Sequence, residues 1–241
     1  MRNIVQAKLW PANLRILDPA EAQRAAGLDG ISSLVIVAFE SGELSQRHNI
    51  AQAVEIARDA GGLIADDEIQ IDDGTGNPTG RAGAVGAWRD AFIGVGNGVE
   101  TSLGVVADTF ETAITWDRWP EFDHVVRAAV GKALTATFGE HHSLSCRFTH
   151  VYPDGPAPYY SWSGMGSQGA EVEQWQTIKD AANEALVAAG GTSTHHHAVG
   201  RMHRPNAYDV QRPELFAQSL RAVKKHLDPN GILNPGVLID P

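Results

Sequence analysis

Residues 142–160 restrict the fold more tightly than any other stretch of the chain. They are rich in β-branched and aromatic residues on both sides of Pro153-Asp154-Gly155, a turn sequence, and so predict an antiparallel hairpin. A long helix is predicted next, over 172–189, because Trp175, Ile178, Ala182 and Leu186 recur at helical spacing and Gly190-Gly191 ends the run. A strand after those glycines would carry His195, His196 and His197. The N-terminal region has the same order. A short strand at 14–17 leads into a helix with Asp18 as N-cap, Pro19 in the first turn and Glu21 closing a capping box. Residues 33–39 read as a central strand, and 44–60 read as a helix through Ile50, Val54 and Ala57. Gly61-Gly62 then precede a third short strand at Leu63-Ile64-Ala65. The matching glycine stops point to related β-α-β units. The expected class is α+β: ferredoxin-like split βαβ units with a mostly antiparallel sheet and helices on one face.

Other segments add less. The apolar positions Val125, Val126, Ala129, Val130 and Leu134 predict a core-packing helix over 122–138, closed by Gly139. Residues 66–78 form a polar, turn-rich connection that lacks the Gly and Glu spacing of a calcium loop. The glycines at 94, 96, 98 and 104 follow no strand of the kind a dinucleotide fingerprint requires. A last helix begins near Pro213 and runs through Leu215, Phe216, Leu220, Val223 and Leu227. The tail at 232–238 is apolar and irregular, which calls for a docking surface.

Composition excludes several classes of partner. The net charge of −10 without a basic cluster argues against nucleic acid. No apolar run reaches the roughly 18–20 residues of a membrane-spanning helix, and no secretory h-region follows Met1, so a cytoplasmic protein is expected. The single cysteine, Cys146, permits no internal disulfide and reads as a buried thiol.

The three consecutive histidines are the clearest chemical signal. On a strand, His196 would face one way and its neighbours the other, leaving one imidazole able to enter a cavity. Adjacent side chains that diverge in this way make a poor single-metal site, so no metal is expected. The residues themselves leave a reactive histidine and a satisfied structural cluster equally open.

Several stretches, taken together, resemble a known family. They are Trp10-Pro11-Ala12-Asn13-Leu14-Arg15, Phe110-Glu111-Thr112-Ala113 with Trp116-Asp117-Arg118, and Cys146-Arg147-Phe148-Thr149-His150-Val151-Tyr152 leading to Tyr159. The run from Thr194 to Arg201 and the ending Leu227-Asp228-Pro229-Asn230-Gly231-Ile232-Leu233-Asn234-Pro235-Gly236 complete the set. In order and spacing they are similar to the C-terminal part of FAD-linked oxidases of the vanillyl-alcohol oxidase type, in the alkyldihydroxyacetonephosphate synthase-like branch.

The resemblance implies that residues 1–205 form a substrate-binding cap domain. Residues 206–241 would be a helix and tail that dock on an FAD-binding domain or subunit outside this chain. The expected activity is that of an FAD-dependent oxidoreductase, silent without that partner. By the same resemblance His196 and Tyr159 act as acid/base groups on a small-molecule substrate. His195, His197 and Asn234 contact the flavin. Apart from the resemblance, Arg89, Arg147 or Arg201 would have to meet an anionic substrate, and Arg147 and Arg201 are the expected substrate contacts. One departure stands out. The branch carries an arginine before the Phe-Glu-Thr motif where this chain has Asn97, and an amide cannot grip an anion bidentately. The alternative expectation is a non-catalytic, ferredoxin-like binding or oligomerisation module derived from such an enzyme, with a second copy of the chain, in a homo-oligomer, among the candidate partners.

Overall fold

The computed structural model describes residues 1–71, 83–93 and 102–240, apart from the side chain of Phe92. Readings that fell on Asp72 to Pro78, on the glycines at 94, 96 and 98, and on Asn97 lie outside the described residues. The chain divides into two compact units. Unit 1 comprises Met1–Ser102 and Leu144–Tyr160, and unit 2 comprises Leu103–Ser143 and Ser161–Pro241.

Five strands, β1 (Asn13–Leu17), β2 (Leu34–Ala38), β3 (Val105–Glu111), β4 (His142–Val151) and β5 (Pro156–Met165), form one antiparallel sheet in the order β2-β1-β4-β5-β3. The α+β class expected from the sequence is the one the chain adopts. β4 and β5 are the predicted hairpin, extended to Met165, and the Tyr152 N–H donates to the Gly155 carbonyl across the turn. β3, the helix after it and β4 form a split β-α-β element, because β5 lies between the two outer strands.

In unit 1, β1 pairs with β2 from Asn13↔Ala38 to Leu17↔Leu34, and with β4 at Ile16↔Phe148 and Leu17↔Arg147. The helices here are α1 (Arg2–Gln6), α2 (Pro19–Ala26), α3 (Arg47–Asp59) and α4 (Gly83–Ile93). Asp18 caps α2 as predicted, accepting the Glu21 N–H at 2.8 Å, and Gly27 ends the helix in the left-handed conformation at φ 70°. Leu17, Ala22, Ala25, Ala26, Ile36 and Trp88 make the core. The sequence did not announce α4, whose Gly-Ala-Val-Gly-Ala start carries no amphipathic stripe. It forms because small residues let it lie against the alanine face of α2, with Trp88 filling the gap.

The strand expected at 63–65 is absent. Those residues are coil and exposed, and Arg58 at the end of α3 donates to the Ile64 carbonyl and pairs with Asp66. The helix terminus thus takes a carbonyl that a sheet edge would have used.

Unit 2 packs α5 (Trp119–Phe138) against α6 (Glu171–Ala188). Phe122, Val126, Val130, Leu134 and Phe138 meet Ile178, Ala182, Ala185 and Leu186, all buried. Each fully buried aliphatic side chain contributes roughly 1.5–3 kcal/mol. Gly164 on β5 is required by this packing, because a Cβ there would lie 2.4 Å from the Phe138 ring. Helical turns at 201–211 lead to α7 (Glu214–Leu227), which buries Ala217 and exposes Leu215, Phe216, Val223 and Leu227. No helix among the described residues is long and apolar enough to cross a membrane. Cys146 is buried, as expected.

Candidate functional site

The chemistry of unit 2 is organised by a carboxylate at the end of β3. Phe110, Glu111 and Thr112 are all buried. The Thr112 hydroxyl donates to the Thr192 carbonyl at 2.7 Å, and the Ala113 N–H donates to the Thr192 hydroxyl at 3.1 Å. Gln211 holds the adjacent segment, accepting from the Ser193 N–H at 2.8 Å and donating to the Gly191 carbonyl at 2.6 Å. Residues 191–193 are therefore clamped from two sides, and the chain is delivered over Glu111.

Glu111 then accepts the main-chain N–H groups of His195 at 2.9 Å, His196 at 3.1 Å and His197 at 3.0 Å, together with the Thr194 hydroxyl. This overturns the strand expected for the triplet. Along a strand successive N–H groups point to opposite sides, whereas three that converge on one carboxylate require a tight loop that forms an anion-binding nest. Residues 195–197 accordingly form bends, and Ala198 follows in the left-handed region at φ 64°. The imidazoles do not alternate; they crowd together. The centroids of His195 and His196 are 5.3 Å apart, and those of His196 and His197 4.6 Å, both edge-on.

The electrostatics follow from this arrangement. Burial pushes the Glu111 carboxyl upward, but the Thr194 hydroxyl and the N–H groups of His197, His195 and His196 outweigh it and hold it below the usual carboxylate range. The ring of His196 has Nδ1 at 3.1 Å from Glu111 Oε2 and at the same distance from His195 Nδ1. Burial lowers its pKa against the pull of Glu111, and His197 and His195 lower it further. The His196 ring thus holds its proton less tightly than a free imidazole, at the surface and beside a buried carboxylate. Behind the loop, Asp108 accepts from Trp175 Nε1 at 2.7 Å and pairs with buried Lys179 at 3.2 Å; Lys179 also donates to the Thr109 carbonyl. His203 is pushed down by burial first and then by Lys179.

The other predicted site residues fall into two groups. In unit 1, Arg147 and Tyr159 come together, the guanidinium carbon lying 4.1 Å from the Tyr159 ring centroid. Arg147 Nη1 pairs with Glu21 at 2.8 Å, while its Nε and the Thr149 hydroxyl, two residues along the same face of β4, are buried with no hydrogen-bond partner among the described residues. Glu21 does not close the predicted capping box. It is 2% exposed and serves Arg147, Ser145 and Arg24 instead. In unit 2, Arg201 reaches the C-terminal tail, donating to the Pro235 carbonyl at 2.7 Å, and Asn234 immediately precedes that residue in the left-handed region at φ 49°. Arg204 holds the tail too, donating to the Gly236 carbonyl and to Asp240, and pairing with Asp209. Sequence reasoning passed over Glu111 and Glu21 as organisers; an acidic residue embedded in an apolar run was the available signal.

Gly164, Gly166 and Gly169 have the G-x-G-x-x-G spacing and join β5 to α6. The turn makes no phosphate cradle. The Gly166 N–H is given to the Gly104 carbonyl, that of Ser167 to Gln174, that of Gly169 to Glu171 and that of Ala170 to Ser167. Glu171 and Glu173 also load the first turn of α6 with negative charge.

Comparison with known proteins agrees with this architecture. The profile described as "FAD linked oxidases, C-terminal domain" matches residues 1–238. Among curated relatives, alkyldihydroxyacetonephosphate synthase of Caenorhabditis elegans is 31% identical over 140 residues, covering 57% of this chain and 23% of the relative. The synthase of Trypanosoma brucei brucei is 27% identical over 135 residues, covering 55% of this chain and 21% of the relative. The matched segment therefore spans less than a quarter of the length of either relative. A solved alkyldihydroxyacetonephosphate synthase structure superposes with a TM-score of 0.64 at 14% identity, covering 97% of this chain and 41% of the other. FAD is the cofactor of the family. The chain belongs to the FAD-linked oxidase C-terminal domain family.

Proposed function

We propose that this chain is the substrate-side part of an FAD-dependent oxidoreductase that oxidises a hydroxy acid or alcohol, or carries out alkyldihydroxyacetonephosphate synthase-like chemistry. In this reading residues 1–205 act as the cap, and residues 206–241 dock on an FAD-binding domain or subunit. The observation that carries it is the histidine loop: a surface imidazole whose Nδ1 lies 3.1 Å from a buried carboxylate is oriented to accept a proton.

The donor set fits only one portion of FAD. In the strand-to-helix G-x-G-x-x-G turn the N–H groups of Gly166, Ser167, Gly169 and Ala170 are already used, so this turn offers the pyrophosphate no cradle, and in this reading an FAD-binding domain or subunit holds it. His195, His197 and Asn234 fit the polar edge of the ring system. When bound, the flavin would supply the two-electron redox step.

This chain's own residues would do the remaining work. His196 takes the proton from the reacting carbon or hydroxyl, and Tyr159 is the second acid/base group that the family resemblance assigns. Arg147, whose buried Nε has no hydrogen-bond partner among the described residues, binds an anionic substituent. Arg201 is already committed to the Pro235 carbonyl, so its contribution passes through the tail. A cytoplasmic setting accords with the lone, reduced Cys146.

The test is reconstitution of the full chain with an FAD-binding domain of the family, followed by flavin reduction under a panel of hydroxy acids and alcohols. Substrate-dependent bleaching that falls at least about 100-fold in His196→Ala, the scale of a lost general base, supports the reading. Bleaching unaffected by His196→Ala, or no bleaching with any member of the panel, overturns it.

A further inference from the structure

We propose that Glu111 is a positioning residue that fixes His196 as its Nδ1–H tautomer and so makes Nε2 the basic atom of the loop. The inference rests on the reading of His196 as the proton acceptor and adds which nitrogen does the accepting, and why.

The argument starts from what each atom can do. An ionised carboxylate only accepts hydrogen bonds, and Glu111 Oε2 lies 3.1 Å from His196 Nδ1. The His195 Nδ1 atom lies equally close to the same nitrogen, so two proton arrangements compete. In the first, His196 Nδ1 carries the hydrogen and points it at Oε2, with His195 Nδ1 as a second acceptor; His195 then carries its own hydrogen on Nε2. In the second, His195 Nδ1–H donates to His196 Nδ1, which turns a nitrogen lone pair toward a carboxylate oxygen at 3.1 Å. The second sets two acceptors against each other in a partly buried place, while the first makes a charge-assisted hydrogen bond. His195 offers no better route to the anion, its Nδ1 being 4.0 Å from Oε2. The first arrangement therefore wins, and it predicts opposite tautomers for two adjacent histidines.

The arrangement also couples ring to backbone. The carboxylate that takes the imidazole hydrogen also receives the main-chain N–H groups of residues 195, 196 and 197, so the loop cannot shift without moving the acceptor of the ring. An orienting carboxylate behind a histidine fixes both ring direction and tautomer, as outer groups do behind catalytic imidazoles generally. Glu111 does this through one side chain reaching 85 positions along the chain.

The experiment is a histidine-selective ¹⁵N label in the full chain, read by long-range ¹H–¹⁵N correlation at a pH where His196 is neutral. The His196 signals are identified by their loss in His196→Ala. The expected spectrum has pyrrole-type Nδ1 and pyridine-type Nε2 at His196, with the reverse at His195. Glu111→Gln keeps the side-chain volume but turns a donor toward Nδ1, so it should exchange the two shift classes at His196. A pyridine-type Nδ1 in the unsubstituted chain overturns the proposal without any variant. So does an unchanged His196 tautomer in Glu111→Gln when amide shifts outside the loop stay in place. If Glu111→Gln does not fold, the spectrum of the unsubstituted chain decides alone.

Neither readout needs flavin or turnover. Expected tautomers combined with failed reconstitution would refute the catalytic reading and leave the role of Glu111 standing. Turnover that requires His196 combined with a pyridine-type Nδ1 would refute the role of Glu111 only.

Discussion

Glu21→Gln removes one negative charge from a place where water cannot replace it. Glu21 is 2% exposed and receives Arg147 Nη1 at 2.8 Å, Ser145 Oγ at 2.7 Å and Arg24 Nη2 at 2.7 Å. The Arg24 side chain is 60% exposed, so that pairing is screened and is worth at most about 1 kcal/mol. Arg147 differs, because its side chain is 12% exposed and loses its counter-charge. Removing one partner of a buried pair costs about 3–5 kcal/mol. That is a large share of a domain stability of about 5–15 kcal/mol. Urea unfolding should show the midpoint falling by this loss divided by the slope, with the slope itself unchanged. Adding Arg147→Met should recover part of the loss, since the stranded charge disappears with its side chain. A loss below about 1 kcal/mol, the surface-pair scale, or a double variant no more stable than the single one, would refute the reasoning. The pH dependence has a definite sign. Burial raises the Glu21 carboxyl, while the Arg24 and Ser145 hydrogen bonds and the charges of Arg24 and Arg147 lower it and prevail. The stabilisation is therefore complete above the ordinary value of 4.5, fades as pH falls below it, and is absent from Glu21→Gln.

Gly164→Ala should cost about 1–3 kcal/mol by driving a methyl into the Phe138 ring, which also stacks on Trp162 with centroids 6.2 Å apart; thermal unfolding at the unsubstituted midpoint would contradict this. Because Glu111 is held below its ordinary 4.5, its grip on the histidine loop is present above that value and lost as pH falls. Amide protection factors at residues 195–197 should drop through that range, and protection that persists after the carboxylate is protonated would count against the nest. Arg204→Ala should release the tail at 236–240, since Arg204 bonds to Gly236 and Asp240. Limited proteolysis should then cut there earlier, and an unchanged cleavage time would show that Arg212, through the Leu238 carbonyl, holds the tail without it.

What the sequence reveals and what it hides divides along the range of the interactions. α5, α6 and the hairpin were legible because each is specified locally, by helical spacing ended with glycine or by a Pro-Asp-Gly turn. The Asp18 cap was legible for the same reason, its partner being three residues away. The conformation of the histidines was not legible, because the group that bends them lies 84 positions earlier in the chain. Glu21 offered a local explanation as a capping-box residue, and a partner 126 positions away overrode it. In the same way α4 owes its helix to a neighbour with small side chains, a property of the pair that its own glycine-rich segment does not carry.

Glu111 grips amides, and every amino acid except proline presents the same amide. The main-chain part of that grip at 195–197 therefore does not depend on what hangs from the loop, although the ring of His196 adds a contact of its own to Glu111. At 195 and 197 histidine should be exchangeable for tyrosine, lysine or cysteine while the bend persists, so new reactivities could be installed on the same scaffold. Proline would break the scaffold at any of the three positions, and it alone marks where the sequence of this loop loses its latitude.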